Sequence, residues 1–368
     1  MTRILYIGLD VDEKNFNFSG LCLETGEIFE FKVKSTFGAL MKKLEELQEK
    51  GFELKICYEA TYIGYNLCRD LRTHNINCEI IAPSLIPSNP GKRVKTDRLD
   101  SKKLAEYYAK GLLKAIYIPD EEDEKVRDLI RSRNFLVNQR KCFKQHILST
   151  CKRYKLDYKQ ETQSKDYWTV KHINWLTEKI NKMDGHLKKM FEVLLYEYEK
   201  LSEGINEFDE EIIKISNQDR YKTKKDALNC FRGLDTLSAM TIITEIGDIH
   251  RFAHPKKLTS YVGFDITEYS SGGKEKKFGI TKMGNKRVRR TLIESCQKVY
   301  SPPKISKRLK TMRKGQDIKI IDVADRCMER LKKKSNRMLF GGKHINKIKV
   351  ACAREFLNFI WEALMIVS

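Results

Sequence analysis

The chain has 368 residues, a length that predicts two or three domains because single hydrophobic cores stop growing well below it. Its formal net charge of +21, from 71 Lys and Arg against 50 Asp and Glu, indicates a polyanionic partner such as nucleic acid. No apolar run approaches the roughly eighteen residues of a membrane span, and "RILYIGLDV" is too short for a signal peptide, so we expect a soluble, cytoplasmic protein with no membrane partner.

The first third of the sequence alternates strand and helix patterns. Three β-branched and aromatic runs, "RILYIGLDV", "NFNFSGLCL" and "EIFEFKVKS", predict an antiparallel meander. An amphipathic helix in "FGALMKKLEELQEKG", the strand "ELKICYEA", a second helix, the strand "NCEIIAP" and a helix from near Thr96 complete the order βββαβαβα. This α/β order is typical of a mixed sheet with helices packed on it, and we assign it to a domain of residues 1–120.

The middle of the chain, residues 121–221, predicts long helices. Residues 121–200 contain no proline and one glycine, Gly185. Apolar residues also recur near heptad spacing in "HINWLTEKINKMDGHLKKMFEVLLYEYEKL", at Ile173, Leu176, Ile180, Met183, Leu187, Met190 and Leu194. The repeat fits a coiled coil that joins protomers and equally a helical bundle within one chain. We predict a helical linker and oligomerisation region here.

The last part, residues 222–368, predicts a mainly α domain. Its start, "ALNCFRGLDTLSAMTIITEIGDIHRF", has the helix–turn–helix pattern of a helix-hairpin-helix, in which backbone N–H groups face a DNA phosphate. Asp235 stands where a second glycine is usual, so a plain helical turn is the alternative.

The strongest charge imbalance lies between Ser270 and Lys310. Thirteen Lys or Arg face two acids there, and a surplus of eleven positive charges would repel itself without counter-charge such as phosphate. A second basic run precedes the helix near Thr96. We predict nucleic-acid binding by Lys92, Arg93, Lys95, Lys274, Lys276, Lys277, Lys282, Lys286, Arg287, Arg289 and Arg290.

Four acids form a candidate metal site. Asp10 and Glu59 end predicted strands, and Asp97 and Asp100 are three residues apart at a helix start, on one side of it. Four converging carboxylates need a multivalent cation, and oxygen ligands select Mg²⁺ or Mn²⁺ over zinc. Two such ions about 4 Å apart can drive phosphodiester chemistry. The alternative is that Asp97 and Asp100 only cap a helix.

Nucleotide-driven chemistry is not expected. The sequence has no G-x-x-x-x-G-K-[ST] phosphate loop, so we predict no nucleotide cofactor.

Several ordered motifs resemble one family. "IGLDVDEK", "YEAT", "KTDRLDSKKLA" and "RFAHPKKLTSYVGFDITEYSSGGKEKKFGITKMGNKRVRR" are similar to those of the IS110/IS1111 insertion-sequence transposases, the DEDD recombinases, over nearly the whole chain. The resemblance implies a ribonuclease-H-like, RuvC-like N-terminal domain and a C-terminal transposase domain. It also implies a catalytic, metal-binding set of Asp10, Glu59, Asp97 and Asp100.

The resemblance further implies a nucleophilic serine in "SSGG". The family keeps this serine directly before glycine, so Ser271 is the first choice and Ser270 the second; without the resemblance the segment is a flexible basic loop. A seryl–DNA intermediate would conserve the phosphodiester energy for strand exchange. We expect Ser271 and the Asp97/Asp100 pair to come close only in an oligomer.

The implied partners are donor DNA, target DNA and a structured noncoding bridge RNA encoded by the element. The implied assembly is a tetramer, a dimer of dimers, in the bacterial cytoplasm and at the nucleoid during activity. Two alternatives stay open: a RuvC-like, metal-dependent, structure-specific endonuclease that acts by hydrolysis, and a nucleic-acid-binding protein without catalysis.

Overall fold

A computed structural model describes residues 3–87, 97–271 and 274–368. The predicted binding residues Lys92, Arg93 and Lys95 lie outside the described residues, as do the side chains of Asp97, Ser270, Ser271, Lys274, Glu275 and Lys277. The chain divides into two compact units, an N-terminal unit of Met1–Pro119 and a C-terminal unit of Asp120–Ser368. Each unit has its own hydrophobic core.

The N-terminal unit is a five-stranded sheet with three main helices, in the predicted order. Its elements are β1 Arg3–Val11, β2 Asn15–Cys22, β3 Ile28–Lys34, α1 Phe37–Glu49, β4 Phe52–Glu59, α2 Asn66–Thr73, β5 Asn77–Ile81 and α3 Asp97–Ala109. The strand order is β3-β2-β1-β4-β5, with β1 to β3 antiparallel and β4 and β5 parallel to β1. The predicted mixed α/β sheet is confirmed, and its topology agrees with a ribonuclease-H-like domain.

Alternation along β1 gives the sheet two helix-covered faces. Leu5, Ile7 and Leu9 are buried in the core that includes the apolar residues of α1 and α2. The intervening Tyr6, Gly8 and Asp10 therefore project to the opposite face. Helix α3 covers this second face, where Ser101 and Ala105 lie against Gly8.

The C-terminal unit is helical except for one β-hairpin. Its helices are α4 Glu121–Arg153, α5 Tyr158–Thr162, α6 Val170–Asn181, α7 Gly185–Ser216, α8 Asp219–Asn229, α9 Thr236–Ile246, α10 Pro255–Val262, α11 Lys286–Ser295, α12 Lys307–Arg313, α13 Ile318–Phe340 and α14 Ile345–Val367, and its strands are β6 Ile266–Ser271 and β7 Lys274–Ile280. Helix α9 is buried nearly all round at the centre of the core. Within the described residues, no helix is both long enough and apolar enough to cross a membrane.

The helical middle contains long helices, but its heptad stretch is not one helix. Helix α6 ends at Asn181 and α7 begins at Gly185, whose positive φ of 51° accompanies the break. The chain turns there because the three residues between the two helices, 182–184, do not continue the helical hydrogen-bond pattern. The heptad positions on both sides pack into one small core of a single chain.

Helices α4 and α7 form an antiparallel pair within the chain. Arg133 binds Asp209 with two hydrogen bonds of 2.6 and 3.1 Å, and Arg140 donates to the hydroxyl of Ser202 at 3.3 Å. As residue numbers rise along α4 they fall along α7, which fixes the direction. A coiled coil between protomers stays a prediction.

Candidate active site and nucleic-acid surface

The two strand-end acids lie side by side at one end of the sheet. Strands β1 and β4 are parallel neighbours, and their last paired residues are Leu9 and Tyr58. Asp10 and Glu59 each follow one residue later, so by the register they occupy adjacent positions facing the same side of the sheet. Both side chains are partly buried.

A glycine sets how closely α3 approaches this face. A Cβ atom on Gly8 would lie 2.2 Å from the carbonyl oxygen of Ser101 and 2.4 Å from the amide nitrogen of Ala105, so no other residue fits without a shift of the helix. On the neighbouring strand, the thiol of Cys57 donates to the carbonyl of Leu104 at 3.9 Å. Helix α3 is therefore packed directly on the backbone of β1 at Gly8, and it contacts β4 through the side chain of Cys57.

The direction of α3 brings its first turn toward the C-terminal end of β1. The rings of Tyr6 and Tyr108 pack edge to face with their centroids 5.7 Å apart, so a late residue of α3 lies on an early residue of β1. The helix thus runs antiparallel to β1, and its first turn, which includes Asp97 and Asp100, extends toward Asp10. The partial positive charge of the helix N-terminus favours acids in this turn.

The donor chemistry of this edge fits a hard divalent cation, because carboxylate oxygens are the ligands that Mg²⁺ and Mn²⁺ prefer. Among the side chains that the structure describes, no three of His, Cys, Asp and Glu are gathered closely enough to hold a metal ion. The side chain of Asp97 is not in that set. The fit therefore rests on donor chemistry and on backbone placement.

The "SSGG" segment begins at the end of a strand. Ser270 and Ser271 are the last residues of β6, and they are paired with Glu275 and Lys274 of β7. These positions belong to an antiparallel hairpin, so the alternative of a flexible loop is wrong for them. Residues 272–273 lie outside the described residues.

Two glycines let the segment before β6 and the segment after β7 cross closely at the base of this hairpin. A Cβ atom on Gly263 would lie 2.3 Å from the carbonyl oxygen of Met283, and one on Gly284 would lie 2.2 Å from that of Tyr261. Their φ angles, 76° and 124°, are also in the region that disfavours other residues. The N–H of Lys282 donates to the carbonyl of Gly263 at 3.1 Å, which closes the crossing.

A buried carboxylate ties the same base to the helices beneath it. Glu245 of α9 accepts two hydrogen bonds from Arg131 of α4, at 2.8 and 3.1 Å, and one from the side-chain amide of Asn285 at 2.8 Å. The hydroxyl of Tyr261 donates to the carbonyl oxygen of Glu245 at 2.8 Å. We call Glu245, Arg131, Asn285 and Tyr261 the anchor cluster. It connects α4, α9, α10 and the start of α11 under the hairpin.

The electrostatics of the anchor cluster are set by the burial of Glu245 and by nearby arginines, above all Arg131. The Glu245 side chain is only 2% exposed. Burial by itself would raise the pKa of Glu245, but the hydrogen bonds and charge of Arg131, with help from Asn285, outweigh burial and hold the pKa below its ordinary value. Glu245 is therefore ionised at neutral pH despite its burial.

The predicted basic surface divides into exposed cations and anchored ones. Arg289 is partly buried, donates to the carbonyl of Val262 at 2.5 Å, and has a pKa lowered by burial. Arg287 faces Glu245 at 3.7 Å. The predicted binding residues whose described side chains are exposed are Lys276, Lys282, Lys286 and Arg290.

Sequence reasoning missed the anchor cluster. Glu245 was visible as an acid inside the apolar helix sequence "TLSAMTIITEI", a position that requires a cationic partner. Asn285 was visible as an N-cap residue before "KRVRR", and its side chain accepts from the N–H groups of Arg287 and Val288. The partner Arg131, 114 residues away along the chain, had no local signal.

Comparison with known proteins places the chain among transposases. Residues 7–155 match a family model of DEDD transposases of the IS110 group, described as Transposase, and residues 225–310 match a model described as Transposase IS116/IS110/IS902 family. The first match contains Asp10, Glu59, Asp97 and Asp100, and the second contains the hairpin and the anchor-cluster residues of α9 to α11.

Full-length relatives make the assignment specific. The chain is 30% identical to y4qE of Sinorhizobium fredii, a protein named as a transposase, over 98% of this chain and 88% of the relative. It is also 30% identical to the transposase for insertion sequence element IS1533 of Leptospira borgpetersenii, over 91% of this chain and 96% of the relative. Identity to the transposase for IS1111A of Coxiella burnetii is 24% over 56% of this chain and 55% of the relative. The chain belongs to the IS110/IS1111 family of insertion-sequence transposases.

Proposed function

We propose that this transposase cuts and rejoins DNA through a divalent-cation site and a covalent seryl–DNA intermediate. The observation that supports the proposal is the packing of α3 on Gly8, which directs the first turn of the helix toward the end of β1, where Asp10 lies next to Glu59 in the register. Family membership implies a metal-dependent acidic site of this kind. We assign the site to Asp10, Glu59, Asp97 and Asp100.

The chemistry divides between the carboxylates and the serine. A bound Mg²⁺ or Mn²⁺ would supply positive charge that makes a hydroxyl easier to deprotonate and a leaving oxygen more stable. The chain's acids would hold that charge at the sheet end, from two strands and one helix. The Ser271 hydroxyl would lose its proton to water as its oxygen bonds to phosphorus, the phosphorus–deoxyribose oxygen bond would break, and the leaving oxygen would take up a proton from water. Ser270 is the second choice for the same step.

The proposed partners are donor DNA, target DNA and an element-encoded bridge RNA. The net charge of +21 and the exposed lysines of the hairpin and α11 support a polyanionic partner. The RNA follows from family resemblance.

The turn between α8 and α9 has the element order of a helix-hairpin-helix. However, the carboxylate of Asp235 caps α9 by accepting from the N–H of Ser238 at 2.8 Å. Negative charge at that turn would repel a phosphate. We therefore place the main phosphate contacts on the exposed Lys276, Lys282 and Lys286.

An oligomer, with a tetramer as the family-based expectation, is supported by exposed aromatic side chains on α4 and α7. Phe135 of α4 is 59% exposed and Tyr196 of α7 is 56% exposed, and a second copy could cover side chains of this kind. Mixing an Asp100→Asn variant with a Ser271→Ala variant tests whether different protomers supply the acids and the serine. Recovery of cleavage in the mixture supports this. No recovery, together with full activity of a protein that sediments as a monomer, would refute it.

A suicide DNA substrate carrying an element end tests the chemistry. Incubated with Mg²⁺ and the bridge RNA, the wild-type protein should become covalently attached to a cleaved strand on a denaturing gel. Ser271→Ala should form no adduct, and Asp10→Asn should neither cleave nor attach, because each removes a group required before the intermediate forms.

The same gel separates the alternatives. Free cleaved ends that persist in both Ser271→Ala and Ser270→Ala would indicate hydrolysis by water and overturn the seryl intermediate. If the covalent protein–DNA adduct disappears only in Ser270→Ala, the nucleophile is Ser270 and not Ser271. Binding without cleavage in every variant, including wild type, would contradict the proposal as a whole.

A further inference from the structure

Two aromatic side chains stand exposed on the hairpin that contains the candidate nucleophile. Tyr269 is 67% exposed and Phe278 is 63% exposed. A ring of this type buries roughly 150–250 Å² when it is covered, so two exposed rings on one short hairpin indicate a contact surface. The base of the hairpin is already fixed by the glycine crossing and the anchor cluster. Neither ring belongs to the glycine crossing or to the anchor cluster.

The register places the rings on one face. Tyr269 of β6 is paired with Lys276 of β7, and Phe278 follows Lys276 by two residues. Side chains two residues apart on a strand share a face, so all three project to the same side. Tyr269 and Phe278 are then diagonal neighbours, for which a regular ladder gives a spacing of roughly 7–8 Å; the register shifts next to this pair, between Ile266 and Glu268. Ser271 lies two residues beyond Tyr269 on the same strand.

That separation matches the thickness of a base. Bases follow one another at about 3.4 Å along a DNA strand, so a gap of about twice that spacing accepts one base with a ring on each side. Flat aromatic rings recognise any base in this way, because every base presents a π face. The pair can act without reading sequence.

The positive charge around the two rings favours a nucleic-acid strand as their ligand. The Lys276 side chain is exposed beside the rings, and residues 270–310 hold a surplus of eleven positive charges. A second copy of the same hairpin would be repelled, whereas a nucleic-acid strand would be attracted. In an intact duplex the base faces are covered by their neighbours, so rings can enclose only a base that has left the stack.

We propose that Tyr269 and Phe278, here called the aromatic clamp, hold an unpaired DNA base beside the phosphodiester that is cleaved. Enclosing the base fixes its sugar and phosphate relative to the end of β6, where Ser271 lies. The clamp residues are positioning residues, since they contact the base and not the reacting atoms. The assignment of the held strand as the cleaved one rests on the proposed function; the stacking itself does not require chemistry.

A fluorescent base tests the clamp without any reaction. The full chain carrying Ser271→Ala is titrated, without divalent ions, with a duplex that has a central bubble containing 2-aminopurine, and with the fully paired duplex of the same sequence. The bubble should bind about tenfold more tightly than the duplex, with quenched fluorescence, since stacking on one aromatic side chain contributes an effect of about this size. Tyr269→Ala and Phe278→Ala should each lose the preference and the quenching.

Three variants control for other effects. Tyr269→Phe should keep both signals because it keeps the ring. Lys276→Ala should weaken bubble and duplex equally because it removes only charge. Tyr154→Ala, which removes a tyrosine 50% exposed at the end of α4, should change neither signal.

Other outcomes would overturn the proposal. If Tyr269→Ala keeps the bubble preference, or weakens bubble and duplex equally, the rings do not hold an unpaired base. If Tyr269→Ala instead abolishes self-association of the DNA-free protein, the rings belong to a contact between copies. Persistent quenching in a protein whose serine forms no adduct on the denaturing gel would retain the clamp and reject the seryl intermediate.

Discussion

The acidic edge of the N-terminal unit and the hairpin of the C-terminal unit position their functional residues by different forces. At the acidic edge, α3 is placed by apolar contact over a glycine that leaves no room for a methyl group. At the hairpin, the base combines two closely crossing glycines with an ionised glutamate, an arginine and an asparagine. The first arrangement should therefore fail under steric change, and the second also under loss of charge or acidification.

The largest effect is expected from a methyl group at Gly8. Gly8→Ala would place its Cβ 2.2 Å from the carbonyl oxygen of Ser101, so α3 must move outward and carry Asp100 with it. A displacement of about 1 Å in a catalytic group can reduce the rate about a hundredfold. The overpacking should also destabilise the N-terminal unit by about 1–3 kcal/mol. Cleavage of an element-end substrate and hydrogen exchange of α3 measure the two effects.

Gly38→Ala is the matched control. Gly38 lies in α1, and a Cβ built there meets nothing within 4 Å. Activity should be unchanged and stability should rise slightly, because alanine is the better helix former. If Gly8→Ala cleaves as fast as Gly38→Ala, contact between β1 and α3 does not position the acids.

A smaller effect is expected from removing the charge at the hairpin base. Glu245→Gln removes the buried negative charge that faces Arg131, which should destabilise the C-terminal unit by about 2–3 kcal/mol, below the range for fully buried pairs because Arg131 is 32% exposed and also lies 3.8 Å from Asp128. Denaturant unfolding followed by tryptophan fluorescence reports on this unit alone, because all three tryptophans, Trp168, Trp175 and Trp361, lie in it.

The control for Glu245→Gln is an exposed pair. Glu294 binds Arg290 at 2.8 Å, with both side chains more than half exposed, so Glu294→Gln should change the unfolding free energy by about 0.5 kcal/mol or less. Equal effects of the two substitutions would mean that the anchor cluster does not stabilise the hairpin base.

The hairpin base should also respond to acid. The pKa of Glu245 in the folded chain is below its ordinary value, so its charged form contributes stability that is fully present above about pH 5 and is lost as the pH falls through the folded pKa. Wild type should therefore lose more unfolding free energy between pH 6 and pH 3 than Glu245→Gln does. Parallel pH profiles of the two proteins would contradict this.

The smallest effect is expected from single exposed lysines. Lys282→Ala and Lys286→Ala should each weaken DNA binding modestly and reduce the slope of log affinity against log salt by about one. Arg289→Lys should instead lower stability, because the guanidinium of Arg289 donates to the carbonyl of Val262. An unchanged salt slope in both lysine variants would remove them from the phosphate contacts.

The sequence was informative where a candidate functional residue belongs to the side-chain periodicity of a single strand or helix. Alternation in β1 placed Asp10 at a strand end and the order of elements gave the mixed sheet, so the N-terminal fold could be predicted. The acidic set of Asp10, Glu59, Asp97 and Asp100 stays a prediction. The close approach of α3 to Gly8 could not be predicted from the sequence, because the contacting residue Ser101 is distant along the chain. The break before Gly185 was missed since apolar spacing continued across it.

The C-terminal unit was harder to predict because its key contacts are long-range. The pairing of Glu245 with Arg131 joins two helices with no shared pattern, and the β6–β7 hairpin is too polar to resemble a strand pair. The serine positions came from resemblance and not from residue spacing.

The antiparallel arm formed by α4 and α7 has a consequence for assembly. Helix α4 has 33 residues and so spans roughly 50 Å. An arm of this length can fix the distance between the molecules that contact its two ends. Adding seven residues to each helix, opposite one another, would lengthen it by about 10 Å while preserving the side-chain register. If copies of the protein meet through their arms, this edit alone would alter which DNA spacings are joined.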